Sequence, residues 1–230
     1  MNLSRTPHAW SVTPAQAIRI QRNLTGRVVR RGCVKRLRLA AGADLAFSHD
    51  KDECIAGVVV WDVQAEKVVE QQVARRKLRF PYVPGLLSFR EAPAILAALR
   101  KIQCEPDVFL FDGQGYAHPR RFGLACHVGL LIDRPSLGCA KSLLIGRCGS
   151  LPQRRGSTTP MLDQGERIGV AVRTRQSVRP IYVSTGHLLS LDAAVEITLR
   201  CCTRYRLPEP TRLADQLVAR EKRSSDPALR

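Results

Sequence analysis

The segment DVFLFDGQG, residues 107–115, sets an unbroken apolar run against an acid, two glycines and an amide. Its first five residues read as a short strand with both faces covered, because no polar residue alternates through the run. Asp112 then stands just beyond the strand's carboxyl end, where open α/β sheets build their sites, and Gly113 and Gly115 leave the backbone bare enough for a ligand to approach. A carboxylate at that point suits a metal ion. An Asp that only opens a turn is the alternative, and the segment alone does not choose between them.

Working outward, RRFGLACHVGLLI (120–132) and residues 88–103 carry helical spacing on either side of the strand, which makes the class α/β. Upstream, Leu37, Leu39, Ala41, Ala43, Leu45 and Phe47 recur with period two on one strand face, so Asp44 points the other way. IAGVVVW (55–61) and KVVEQQVA (67–74), joined by a short polar turn, extend this into an antiparallel meander. Downstream, GSLPQRRGSTTP (149–160) reads as a surface loop. IGVAVRT and IYVST flank RQSVRP as a second hairpin, and SLDAAVEITLRC and TRLADQLVARE read as helices. At the start, Ala15, Ile18, Ile20, Leu24 and Val28 among arginines predict an amphipathic helix over about 14–31 with a basic outer face. The tail from about 222 to 230 is expected to fray. With 230 residues, 44% of them hydrophobic, one domain over 1–230 is expected.

Lys and Arg number 37 against 20 Asp and Glu, a formal charge of +17 that points to a polyanionic partner. No apolar run approaches the roughly 18 residues that span a bilayer, and MNLSRTPHAW lacks the apolar centre of a signal peptide, so an unexported, cytoplasmic protein is expected. The eight cysteines form no C-x-x-C pair and none has zinc-finger spacing, which favours reduced thiols. There is no G-x-S-x-G elbow, P-loop or dinucleotide fingerprint, and neither Cys126-His127 nor Cys201-Cys202 makes a nucleophile arrangement. Hydrolysis by metal-activated water is the chemistry left.

Asp44 and Asp112, two strand-borne acids, would suit the hard, oxygen-preferring Mg²⁺, although Asp44 is unremarkable if its face is solvated. Glu91 closes an S-x-x-E capping box with Ser88, but Pro93 fits best at a first helical position, which would put Glu91 just before the helix. His118, Pro119, Arg120 and Arg121 read either as a phosphate contact near a helix start or as a solvated basic turn. Lys141 steadies a phosphate or sits on the surface. In FPYVPG (80–85), two prolines and Gly85 stiffen a corner from which Tyr82 either projects as a wedge between bases or covers the core.

Taken in order, GADLAF around Asp44, PYVPGLLSFRE (81–91), DGQGYAHPRRFGLACHVG (112–129), STGHLLSLDAA (184–194) and YRLPEPTRLAD (205–215) resemble the endonuclease V family over roughly residues 35–221. The resemblance implies a ribonuclease H-like domain, a central mixed sheet flanked by helices, with Mg²⁺ or Mn²⁺ at its acidic centre. By position, Asp44, Glu91 and Asp112 would be the catalytic acids, and His118 and Lys141 accessory catalytic positions. Tyr82 would be the strand-separating wedge, and Pro81, Gly85, Gly113, Arg120 and Arg121 further DNA contacts. Asp215 falls where a His or an Asp approaches the metal, and Gln114 where some relatives carry His. The implied activity is repair of DNA containing deoxyinosine: hydrolysis of the second phosphodiester bond 3′ to the lesion, leaving 3′-hydroxyl and 5′-phosphate. An inosine-specific ribonuclease and a non-catalytic basic nucleic-acid module are the alternatives. A monomer, with no membrane partner, is expected. The arginine-rich N-terminal segment matches none of these motifs.

Overall fold

The computed structural model describes residues 6–48 and 52–224. Residues 1–5 of the MNLSRTPHAW start and 225–230 of the expected tail lie outside them. The described chain builds one nine-stranded mixed sheet. Its first three strands, β1 (Leu39–Phe47), β2 (Glu53–Asp62) and β3 (Lys67–Lys77), form the antiparallel meander that their alternation predicts. The apolar segment becomes β4 (Val108–Phe111), parallel to β1, and β5 (Ser136–Ala140) adds parallel to β4. Then come β6 (Arg147–Cys148), β7 (Thr158–Asp163), β8 (Glu166–Val172) and β9 (Ile181–Thr185), all antiparallel, giving the order β3-β2-β1-β4-β5-β9-β8-β7-β6. β8 and β9 are the expected second hairpin.

The pleat divides the core. On β4, Phe109 and Phe111 pack with Ala41, Ala43 and Val58 under the helices α2 (Leu87–Leu99) and α3 (Leu124–Ile132). Val108 and Leu110 point the opposite way, to Leu137, Val183 and Ile197 beneath α4 (Leu191–Cys201). Leu37, assigned to the first face by its spacing, precedes the strand and joins this second cluster. The reverse face of β1 is not open to solvent. The helix α5 (Glu209–Ser224) lies so close that a Cβ at Gly42 would stand 2.1 Å from the Pro210 carbonyl carbon.

Three expectations are corrected. The N-terminal helix, α1 (Pro14–Thr25), starts with a Thr13–Gln16 capping box and stops at Gly26, six residues short of the expected span, because glycine is a poor helix propagator. In α2 the S-x-x-E box is not used. The helix begins at Leu87, Ser88 hydrogen-bonds His127 Nδ1 at 2.9 Å, and both Glu91 and Pro93 lie inside the helix. A helix-interior proline costs about 3 kcal/mol. Phe89, Ile95 and Leu99, each at most 1% exposed, return about 1.5–3 kcal/mol apiece. Lastly, the loop predicted to reach residue 160 gives way to β7 at Thr158. Pro160 is tolerated there because β6 pairs only with Met161 and Leu162. No described helix is long and apolar enough to cross a membrane.

Candidate active site and nucleic-acid interface

β1 and β4 run parallel with Ala43 opposite Phe111, so the next residues, Asp44 and Asp112, emerge side by side at one end of the sheet. The Asp112 amide donates to the Ala43 carbonyl at 3.4 Å. From the next strand, Lys141 follows the end of β5 and makes an ion pair with Asp112. Glu91, 7% exposed, approaches from α2, and Asp215 is carried by α5. Burial, then the charge of Asp112, push the Asp44 carboxyl up to about 8, with a smaller push from Asp215; the Leu45 amide at 2.8 Å and Lys141 oppose it. Burial, then Asp44 and Asp112, push Glu91 up to about 8 against the pull of Arg90. Burial disfavours the Lys141 charge, but its hydrogen bond to Asp112 and the surrounding carboxylates hold its pKa above the ordinary value.

These groups therefore share one field, in which negative charge exceeds what Lys141 offsets. Hard oxygen donors forced toward their protonated forms fit a divalent cation. Among the described residues, however, no three carboxylate, imidazole or thiol groups stand close enough to form a ready-made ligand set.

A second site lies at the first turn of α2. In residues 80–85, Phe80 is buried against Phe89 at a ring separation of 5.6 Å, and Tyr82 stands 71% exposed, which excludes the reading that it covers the core. Gly85 adopts φ +76°, and a Cβ there would meet the Arg120 guanidinium at 2.7 Å. Its carbonyl accepts three donors: His118 Nε2 at 2.9 Å, Gln21 Nε2 at 3.1 Å and the Arg120 guanidinium. His118 Nδ1 accepts the Arg120 amide at 3.2 Å, so the ring proton sits on Nε2. Burial, then the charge of Arg120, lower its pKa to about 4. His118 is thus a neutral brace for the loop and not a cation offered to phosphate.

The two arginines beside it are also committed. Arg120 holds Gly85 and Gln21, while Arg121 pairs with Glu166 and Asp163, each at 2.8 Å. Further cationic side chains line a groove of about 620 Å³ at the end of β3. There Arg75, Arg76, Lys77, Arg79, Arg90 and Arg100 face Glu53. Arg76, Lys77, Arg79 and Arg100 are exposed.

Between Tyr82 and His118 lies a cavity of about 120 Å³, walled by Val83, Leu87, Gln114 and Leu124. Gln114 Nε2 donates to the Ser142 carbonyl at 3.0 Å, and its buried Oε1 has no partner among the described residues. Cavity and acids share two elements. Leu87 and Ser88 line the cavity one helical turn before Glu91, and Gln114 does so two residues after Asp112. Sequence reasoning missed Gln21, wholly buried beside this cavity, although Ala17, Gln21 and Leu24 sit at i, i+4 and i+7 on one helix face.

The family model for endonuclease V matches residues 22–216. An endonuclease V of Myxococcus xanthus is 50% identical over 220 residues, 95% of this chain and 94% of that protein. Among solved structures, the endonuclease V of Streptomyces avermitilis superposes with a TM-score of 0.90 at 39% identity, covering 96% of this chain and 98% of that one. That of Ciona intestinalis, solved with a 24mer DNA containing an inosine followed by a ribo-adenosine, superposes at 0.81 with 28% identity, covering 92% and 98%. A match that spans the acids, the Tyr82 loop and the cavity walls alike leaves one conclusion: the chain belongs to the endonuclease V family.

Proposed function

We propose that the protein nicks DNA containing deoxyinosine, hydrolysing the second phosphodiester bond 3′ to the lesion to leave 3′-hydroxyl and 5′-phosphate ends. The observation that carries this reading is the coupling of two sites through one helix. An exposed tyrosine and a base-sized cavity sit one turn of α2 from an acid cluster. Hypoxanthine differs from adenine on its Watson–Crick edge, which is fully open to the protein only once the base is turned out of the stack. Tyr82 fills the gap left behind, and the cavity receives the base. The inosine-bearing DNA held by the Ciona relative agrees with this.

Asp44, Glu91 and Asp112, with Asp215 nearby, would hold Mg²⁺, with Mn²⁺ as a substitute. When bound, the cation supplies a nucleophile at neutral pH and polarises the phosphate. The remaining work belongs to the chain. Lys141, released from part of its bond to Asp112, offsets charge gathering on the scissile phosphate. The groove cations hold the flanking backbone and make affinity depend steeply on salt. His118 keeps the Tyr82 loop in place from the Gly85 side.

A duplex bearing one deoxyinosine, labelled at its 5′ end, tests this with Mg²⁺. A fragment ending one nucleotide beyond the lesion is expected, and an uncut duplex refutes the reading. A second reading, cleavage of inosine-containing RNA, draws on the ribonucleotide that follows inosine in the Ciona complex. A matched RNA strand in the same assay separates the two.

A further inference from the structure

α1 lies outside every motif quoted above, yet it contributes the most completely buried polar side chain at the cavity. Gln21 is 0% exposed. Its Nε2 donates to the Gly85 carbonyl at 3.1 Å and to the Phe122 carbonyl at 3.2 Å, and its Oε1 accepts from Arg120 Nε at 2.5 Å. We propose that Gln21 is a positioning residue for lesion recognition, the amide through which α1 sets the width of the base cavity. The proposal rests on the reading of that cavity as the seat of the turned-out base.

The two carbonyls belong to two different wall segments of the cavity, Gly85 lining it and Phe122 adjoining the lining residue Gly123. Gly85 ends the Tyr82 loop, and Phe122 ends the segment that leads from His118 into α3. These walls are far apart in sequence, and Gln21 bridges them while itself lining the cavity. α1 is firmly held, with Ala17 buried, Leu24 packed on Phe122 and Cys126, and Thr25 Oγ1 donating to the Arg121 carbonyl at 3.3 Å. A rigid helix that ties down both walls fixes the gap between them.

Only an amide meets this demand, since it carries two donors for two carbonyls and an acceptor for a guanidinium on one planar group. A carboxylate would keep Arg120 but set an oxygen against the carbonyls. A thioether would fill the volume and make none of the bonds. The partners of Gln21 are all outside the acid cluster, so its loss should alter which base is accepted, not how fast an accepted strand is cut.

Gln21→Met and Gln21→Glu, compared with the unaltered protein under Mg²⁺, test the proposal on duplexes carrying deoxyinosine or adenine at one position. In both variants KM for the deoxyinosine duplex should rise about tenfold, the effect of about 1.4 kcal/mol. kcat should stay within about twofold, and the preference for deoxyinosine over adenine should fall by a similar factor. Amide hydrogen exchange on the free proteins should quicken in residues 82–86 and 118–123 and stay unchanged in β1 and β4. Unchanged KM, preference and exchange in the two variants overturn the proposal. So does a loss of kcat alone, which is what a smaller folded fraction produces. If the Met variant fails to fold, the Glu variant, which keeps the Arg120 pair, decides. Should the unaltered protein itself show no preference for deoxyinosine, the base-cavity reading fails separately, and the exchange comparison still decides whether Gln21 ties the walls.

Discussion

The carboxyl ends of β1 and β4 and the corner at Gly85 are built on opposite electrostatic principles. At the first, burial and then the neighbouring carboxylates push Asp44 and Glu91 up to about 8 beside Asp112, with Lys141 as the near counter-charge. At the second, one carbonyl has three donors, an imidazole is kept neutral, and Arg121 is closed by two carboxylates. The difference teaches a division of labour. The part that would do chemistry is left short of positive charge, whereas the part that would read a base has its shape fixed before any ligand arrives.

The largest expected effect falls on the acids. Asp112→Asn should lower nicking of a deoxyinosine duplex about a thousandfold or more, the scale of losing one electrostatic stabiliser, with binding kept. End-labelled fragments and gel shifts on the same samples check both halves, and lost binding with normal nicking would break the division. Tyr82→Ala should do the reverse. KM should rise about tenfold, within the roughly 1–3 kcal/mol of one lost stacking contact, at little cost in kcat.

Melting curves against pH give a smaller but sharper contrast. Asp44 and Glu91 have folded values near 8, above ordinary values near 4, so between these limits the native state binds more protons than the unfolded chain. Without divalent cations their contribution to stability is therefore lost as pH rises from about 4 to 8. Asp44→Asn should melt a few degrees above the unaltered protein at pH 8 and close to it at pH 4, and Mg²⁺ should raise Tm more at pH 8 than at pH 5. His118 has the opposite sign. Its folded value near 4 lies below 6.5, so its contribution is complete above 6.5 and is lost as pH falls toward 4. His118→Gln should flatten that acid limb alone. Equal slopes in both variants would show that the two regions do not titrate independently.

The smallest effect separates a committed cation from an exposed one. Arg79→Gln should reduce the slope of log affinity against log salt by about one, whereas Arg121→Gln should leave it unchanged and lower stability by about 1 kcal/mol. Binding isotherms at several salt concentrations check the first, and denaturant melts the second.

Much of this arrangement was legible in the residues. Period-two spacing located β1 and turned Asp44 away from the larger side chains, and the bare turn after β4 marked Asp112. What covers the Asp44 face was not legible, because Gly42 against Pro210 is a contact between distant segments that no local pattern records. Glu91 was misplaced by a sound local rule that tertiary burial overrides, since Pro93 is carried inside α2 by the apolar residues around it. His118 and Arg121 looked like solvent-facing cations until their partners at Gly85, Asp163 and Glu166 were seen. β5 and β6 are short, and β7 contains a proline, so none showed a strand period long enough to find.

The acids at the sheet's end are drawn from β1, α2, the turn after β4 and, last of all, α5, which docks across β1 against Gly42. α5 follows all nine described strands in the chain, so the sheet can form before this helix seats and brings Asp215 to the cluster. Until α5 seats, the face of β1 against which Pro210 packs lacks that cover. A side chain at residue 42 would therefore strike α5 and leave the partners of β1 in the sheet as they are.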